Sequence, residues 1–250
     1  MSKPYVKQNI VNEVAYIEFF HPAHNSLPGN VLAELAQTIT DAGNNKDVKV
    51  IVLKSGGDRT FCAGASFEEL INIDDAATGK VFFSGFANVI NAMRKCPKFI
   101  IGRIQGKTVG GGVGLAAATD YCMATKFAAI KLSELNIGIG PFVVGPAIER
   151  KIGLSAMSQI AIDANSFYPA EWAQQKGLFT QVYESTEALD EAVKATAEHL
   201  CTYNPEAMVE MKKVFWSGTD NWDALLAERA ATSGRLVLSE FTKEKLKTYK

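Results

Sequence analysis

The chain has 250 residues, 47% of them hydrophobic and 21% charged, the make-up of an ordinary globular protein long enough to bury about three-quarters of its unfolded surface. Disorder, collagen and small disulfide scaffolds are excluded. Lys and Arg total 26 against 27 Asp and Glu, a net charge of -1, so no global field draws in nucleic acid or an anionic membrane and any anionic ligand must be held locally.

The first eight residues carry no charged stretch followed by an apolar one, and no window reaches eighteen uncharged apolar residues, so the sequence predicts neither an export signal nor a membrane span. Residues 14–20 (VAYIEFF) and 48–53 (VKVIVL) are short β-branched runs that read as strands. Val31, Leu32, Leu35 and Ile39 place an amphipathic helix between them. The pattern repeats: a helix over about 79–94 leads into a strand at 98–104 (KFIIGRI), a glycine-rich turn, an alanine-rich helix from about Gly112 and a strand near 121–124. Such alternation predicts a largely parallel α/β core. From about Ala188 the texture becomes all-helical, with Leu189, Val193, Ala197 and Leu200 in one helix, Met208, Met211 and Val214 in the next, and Leu225, Leu226, Ala230 and Leu236 in the last. No linker separates this tail from the core, so its helices are expected to pack on the core or on a partner subunit. Cys62, Cys96, Cys122 and Cys201 form neither a CxxC nor a Cys/His cluster and read as reduced thiols of a cytoplasmic protein.

Three segments can carry chemistry. In 105–119 (QGKTVGGGVGLAAAT), Gly110, Gly111 and Gly112 follow a strand and open a helix of small residues. N–H groups at such a helix start have no intrahelical partner and suit a bound anion or a developing oxyanion; the alternative is a turn for tight packing. A dinucleotide fingerprint is formally present at Gly112, Gly114 and Ala117 with Glu134 beyond, but its mid-chain position argues against it. In 59–70 (RTFCAGASFEEL), Ala63, Gly64 and Ala65 precede Ser66 and Glu69 at capping-box spacing, which is either an ordinary helix start or a second set of exposed donors. In 130–144 (IKLSELNIGIGPFVV), Glu134 is the one acid among largely apolar residues, either solvated or held where its pKa rises far enough to exchange protons near neutral pH. Phe82, Phe83 and Phe86 share a helix and read as core, or as the wall of an acyl pocket; Trp172, Trp216 and Trp222 read as packing residues. His21 and His24 lack a third ligand, and no metal site is expected.

Taken in order, HPAHNSL, FCAGASFEEL, IQGKTVGGGVGLAAATDYCMA, KLSELNIGIGP and YPAEWAQQKGL resemble the crotonase, or enoyl-CoA hydratase/isomerase, family. The resemblance implies an α/β crotonase-like spiral of repeated ββα units over residues 1–188 and a helical trimerisation region over 189–250, assembled as a homotrimer or dimer of trimers. It implies an acyl-CoA thioester as small-molecule substrate rather than cofactor, with no cofactor, nucleic acid or membrane partner. Backbone N–H groups matching Ala63 and Gly111 would form the oxyanion hole, and Glu134 would be the general acid/base. Ala63, Gly64, Ala65, Ser66, Gly111, Gly114, Phe82, Phe86 and Pro141 would contact the thioester. Hydratases of the family carry two glutamates, and here the first position is Gly114; the pattern is similar to that of monofunctional 3,2-enoyl-CoA isomerases, where one glutamate moves a proton between C2 and C4. A non-catalytic acyl-CoA-binding scaffold is the reading from another class. Two further departures are Ser66, at a usual Asp, and residues 141–144 (PFVV), in place of a proline-glycine turn.

Overall fold

A computed structural model of the protein describes residues 3–248; Met1 and Ser2, at the start of the segment read as lacking a leader, lie outside them. The chain opens with β1 (Tyr5–Val11) and β2 (Val14–Phe20), an antiparallel hairpin turning at Asn12 and Glu13, both at positive φ. β3 (Ser26–Leu27) and α1 (Gly29–Asn44) follow, then β4 (Val50–Ser55), β5 (Thr60–Cys62), β6 (Gly64–Ala65), α2 (Phe67–Leu70) and α3 (Ala76–Lys95). Next come β7 (Phe99–Ile104), β8 (Lys107–Val109), α4 (Gly111–Ala118), β9 (Tyr121–Thr125), β10 (Ala129–Lys131), a short 3₁₀ helix η1 (Glu134–Ile137) and α5 (Gly145–Ile162), which is interrupted at Gly153. β11 (Tyr168–Pro169), α6 (Ala170–Gln175), β12 (Gln181–Tyr183) and the helices α7 (Thr186–Leu200), α8 (Pro205–Phe215), α9 (Trp222–Leu236) and α10 (Glu240–Lys247) complete it.

The repeat expected from the sequence is a true ββα unit. The first strand of each pair joins a six-stranded sheet of order β1-β2-β4-β7-β9-β12, parallel from β2 onward, and the second joins a four-stranded sheet of order β11-β10-β8-β5. β3 and β6 pair separately, in parallel. β4 shows why the large sheet needs cover on both faces. Ile51 and Leu53 enter the main core with α1, α3 and α4, whereas Val50 and Val52 face Leu189, Val193 and Ala197 of α7. Those α7 residues recur every four positions, so one helical stripe seals one sheet face.

The rest of the tail folds back over the body of the same chain. α9 lies along α3 at a backbone-to-backbone approach: a Cβ on Gly79 would stand 2.8 Å from Gly234 Cα. Leu246 of α10 joins Val237, Ile139 and Leu70 in a small cluster flanked by Phe82, Phe83 and Ile137. Trp216 and Trp222 pack edge to face, with ring centroids 5.7 Å apart, as the packing role expected of them requires. Trp172 lies earlier, on α6 beside Tyr168. All four cysteines are buried and free, and no described helix is long and apolar enough to cross a membrane.

Candidate active site

A cavity of about 470 Å³ opens between the β5-β6 turn, the start of α4, α3 and η1, and Ser233 of α9 reaches its wall. The wall is mostly apolar, with Phe82, Phe83 and Phe86 from α3 and Pro141, Phe142, Val143 and Val144 after η1. Its two charged side chains are Glu134 and Lys131.

Glycines bring the parts together. Gly110 sits at φ 52°, ψ -116°, a backbone that side chains avoid, and a Cβ there would lie 3.0 Å from Glu134 Oε1. A Cβ on Gly64 would approach Val109 O at 3.4 Å and Gly111 N at 3.8 Å. The two glycine turns therefore touch through their backbones, and the N–H of Gly111, first residue of α4, has no intrahelical acceptor.

The N–H expected as the second donor is not free. Ala63 N–H donates to Asn25 O at 3.2 Å and is already engaged. Ser66 N–H donates to Leu27 O at 2.9 Å, and Leu27 is in register with Ala65. Since successive N–H groups of an extended strand alternate sides, the Ala65 N–H points away from β3, and Ala65 lines the cavity beside Gly111. Two expected contacts are absent from the wall. Ser66 is buried with its hydroxyl capping α2, accepting from Glu69 N–H at 3.3 Å, and Gly114 lies behind Val144, whose Cγ1 would meet a Cβ on Gly114 at 2.5 Å. The fingerprint glycines are packed in the same way, Gly112 within 2.7 Å of Cys62 by the same measure, which leaves no room for a pyrophosphate. Ala63, Gly64, Ala65, Gly111, Phe82, Phe86, Glu134 and Pro141 do line the cavity.

Glu134 combines a buried carboxyl with an open approach. Its Oε2 is buried and has no hydrogen-bond partner among the described residues. Burial pushes the carboxyl up to about 7, against the opposing pull of the Glu134 and Ser133 backbone N–H groups. A carboxyl so placed gains and loses protons near neutral pH and has an oxygen free to do so.

One positioning residue escapes a sequence reading. Asn25, 2% exposed and at φ 56°, accepts from His21 N–H at 2.8 Å and donates to Gly56 O and Thr60 O, both at 2.9 Å. With its own carbonyl on Ala63 N–H, it clamps the turn that carries Ala65. The signal was an Asn in a short loop, where αL backbone is common. His21 serves that loop too, its Nδ1 accepting from Ala23 N–H at 3.3 Å. No group of three His, Cys, Asp or Glu able to hold a metal occurs among the described residues.

The family profile described as "Enoyl-CoA hydratase/isomerase" matches residues 9–248. The chain is 28% identical over 225 residues (84% of this chain, 79% of the other) to the peroxisomal Delta(3,5)-Delta(2,4)-dienoyl-CoA isomerase of Arabidopsis thaliana. It is 29% identical over 189 residues (75% of this chain, 60% of the other) to the mitochondrial methylglutaconyl-CoA hydratase of Mus musculus. The crystal structure of an enoyl-CoA hydratase from Bacillus halodurans superposes with a TM-score of 0.90, covering 98% of this chain and 99% of that one at 21% identity.

Proposed function

The chain belongs to the enoyl-CoA hydratase/isomerase family, and on that premise we propose that it shifts a double bond in an acyl-CoA thioester, with Glu134 as the one proton carrier. The thioester carbonyl oxygen accepts from the N–H groups of Ala65 and Gly111. The Glu134 carboxylate takes a proton from C2 of a 3-enoyl thioester, and the C2–H electron pair passes onto the carbonyl oxygen as a dienolate. Two donors fixed in place before the reaction stabilise that charge, each contributing about 3–4 kcal/mol where such donors have been deleted. Glu134 then returns the proton to C4, and the double bond lies between C2 and C3, in conjugation.

The packing of Val144 on Gly114 carries this reading over hydration. Adding water across a double bond divides its proton transfers between two carboxylates. At position 114 there is no carboxylate, and the space one would need is filled by Val144 Cγ1 and Cβ, with Ile90 Cδ1 3.4 Å from the same Cβ position. Apolar groups there also keep water from the dienolate.

Replacing Glu134 with Gln keeps the shape but cannot carry a proton. Turnover of a 3-enoyl-CoA should fall about 10²–10⁴-fold. The Kd of a saturated acyl-CoA, read by calorimetry, should stay within about threefold because the lost interaction belongs to the transition state. Equal losses of binding and turnover would reject the assignment. The four free thiols suit a reducing compartment such as the cytoplasm, and the homo-oligomer expected of the family is retained as part of the proposal.

A further inference from the structure

The cavity wall includes one lysine, and it forms no ion pair among the described residues. Lys131 ends β10, three residues before Glu134, and its carbonyl accepts from Gly110 N–H at 2.9 Å. β8 and β10 pair with Lys131 opposite Val109, so these two side chains share a sheet face, and both line the cavity. Lys107, two residues before Val109, stands on that same face. Phe167, 43% exposed, comes alongside from just before β11, next to the cavity wall rather than in it. The Lys107 and Lys131 ammonium groups lie 5.2 and 5.3 Å from the centre of its ring. The ring holds both by cation–π attraction. Among the described residues, neither lysine forms an ion pair with a carboxylate, although nine such pairs occur elsewhere in the molecule. Two like charges on one ring repel until an anion joins them.

The position of Lys131 indicates which part of the ligand that anion belongs to. Glu134 must reach C2 and C4 from η1, and Lys131 stands three residues before it on the same β10-η1 segment of the wall. We propose that the preferred substrate is a thioester whose acyl chain bears a second carboxylate, bound by Lys131 with Lys107 beside it. This inference rests on the reading of the cavity as a thioester site.

The test uses the full chain, wild type and Lys131→Met, with an uncharged 3-enoyl-CoA, its counterpart of equal length ending in a carboxylate, and that same acyl group on pantetheine, which lacks the nucleotide phosphates. Wild type should favour the carboxylated thioester. Lys131→Met should lower the ratio of kcat/KM for carboxylated over uncharged substrate about tenfold or more, the usual effect of removing a charged hydrogen-bond partner. The loss should persist on pantetheine, and Lys131→Arg should restore much of the ratio. Because the ratio is taken within one variant, partial misfolding cancels. An unchanged ratio would overturn the proposal, as would an equal loss on both acyl groups that vanishes on pantetheine, which would assign the lysine to a phosphate. Calorimetry with glutaryl-CoA and butyryl-CoA asks the same question without turnover. A Lys131-dependent preference for glutaryl-CoA in a protein that isomerises nothing would uphold the anion site while rejecting the isomerase reading, and no preference would overturn the site.

Discussion

At the scale of single residues, the account turns on a carboxyl held near 7 by burial. Because the ionised form takes the first proton, kcat/KM should rise with pH, with a slope of one below about 7, and level off above it. The same shift makes a statement about stability, since the model value for this carboxyl is 4.5. Between those values the folded state binds the proton that the unfolded chain has released, so stability falls as pH rises from about 4.5 to 7 and then stays level. At one pKa unit per about 1.4 kcal/mol, the ionised carboxylate costs the fold up to about 3 kcal/mol at pH 8. Glu134→Gln should therefore be more stable than wild type at pH 8 by about 1–3 kcal/mol in urea titrations and equal to it near pH 4. A variant equally stable at both pH values would show that the carboxyl is not buried in solution. Asn25 acts at the same scale but through the backbone. Asn25→Ala removes two donated bonds and one accepted bond around the turn, a loss of about 2–3 kcal/mol. It should lower kcat more than KM, because Ala65 N–H moves relative to the oxyanion; a stability loss with kcat intact would reduce Asn25 to scaffolding.

At the scale of elements, α4 and the segment after η1 are matched by size. Gly114→Glu alone drives a side chain into Val144 and buries a charge, and should cost about 2 kcal/mol or more. Adding Val144→Gly opens that space, so the double variant should regain part of the stability, and with two carboxylates on the wall it should hydrate a 2-trans-enoyl-CoA measurably. A double variant no more stable than Gly114→Glu would mean that Val144 does not set the space. Much of this level was legible in the sequence. β2, β4, β7 and the α3 helix follow from apolar periodicity, each within about three residues of its observed ends. β1 was not, because YVKQNIV is an edge strand exposed along most of its length and carries no alternation. The short pairs β3-β6 and β5-β8 escape too, since two or three residues give no period, and their pairing depends on contacts distant in sequence. That is why Ala63 was expected as the donor: motif position alone does not show that Asn25 O already occupies its N–H.

Across the whole molecule, the helical tail closes a site that the ββα core opens. α7 seals the large sheet, α9 carries Ser233 to the cavity wall, and α10 packs over η1 through Phe241 and Thr242, which crowd Gly138 just beyond Glu134. The periodic stripes gave the helices away, whereas their landing places on the core did not follow from the pattern. The motif order was enough for the fold and for placing Glu134 on the cavity wall. Val144 stood in plain view as a departure from a proline-glycine turn, but its meaning required knowing that it faces Gly114. Lys131 carried no signal until the sheet register placed it beside Val109 on the cavity wall.

The proposed isomerase rests on one carboxylate with no place for a second, and the direct test follows the absorbance of the conjugated thioester. The protein is mixed separately with a 3-enoyl-CoA and a 2-trans-enoyl-CoA, each offered with and without a terminal carboxylate, with Glu134→Gln as control. The account predicts a gain of absorbance with a 3-enoyl-CoA that Glu134→Gln abolishes, and no loss of absorbance with either 2-trans-enoyl-CoA. A Glu134-dependent loss with a 2-trans-enoyl-CoA would be hydration by a single carboxylate, and would contradict it.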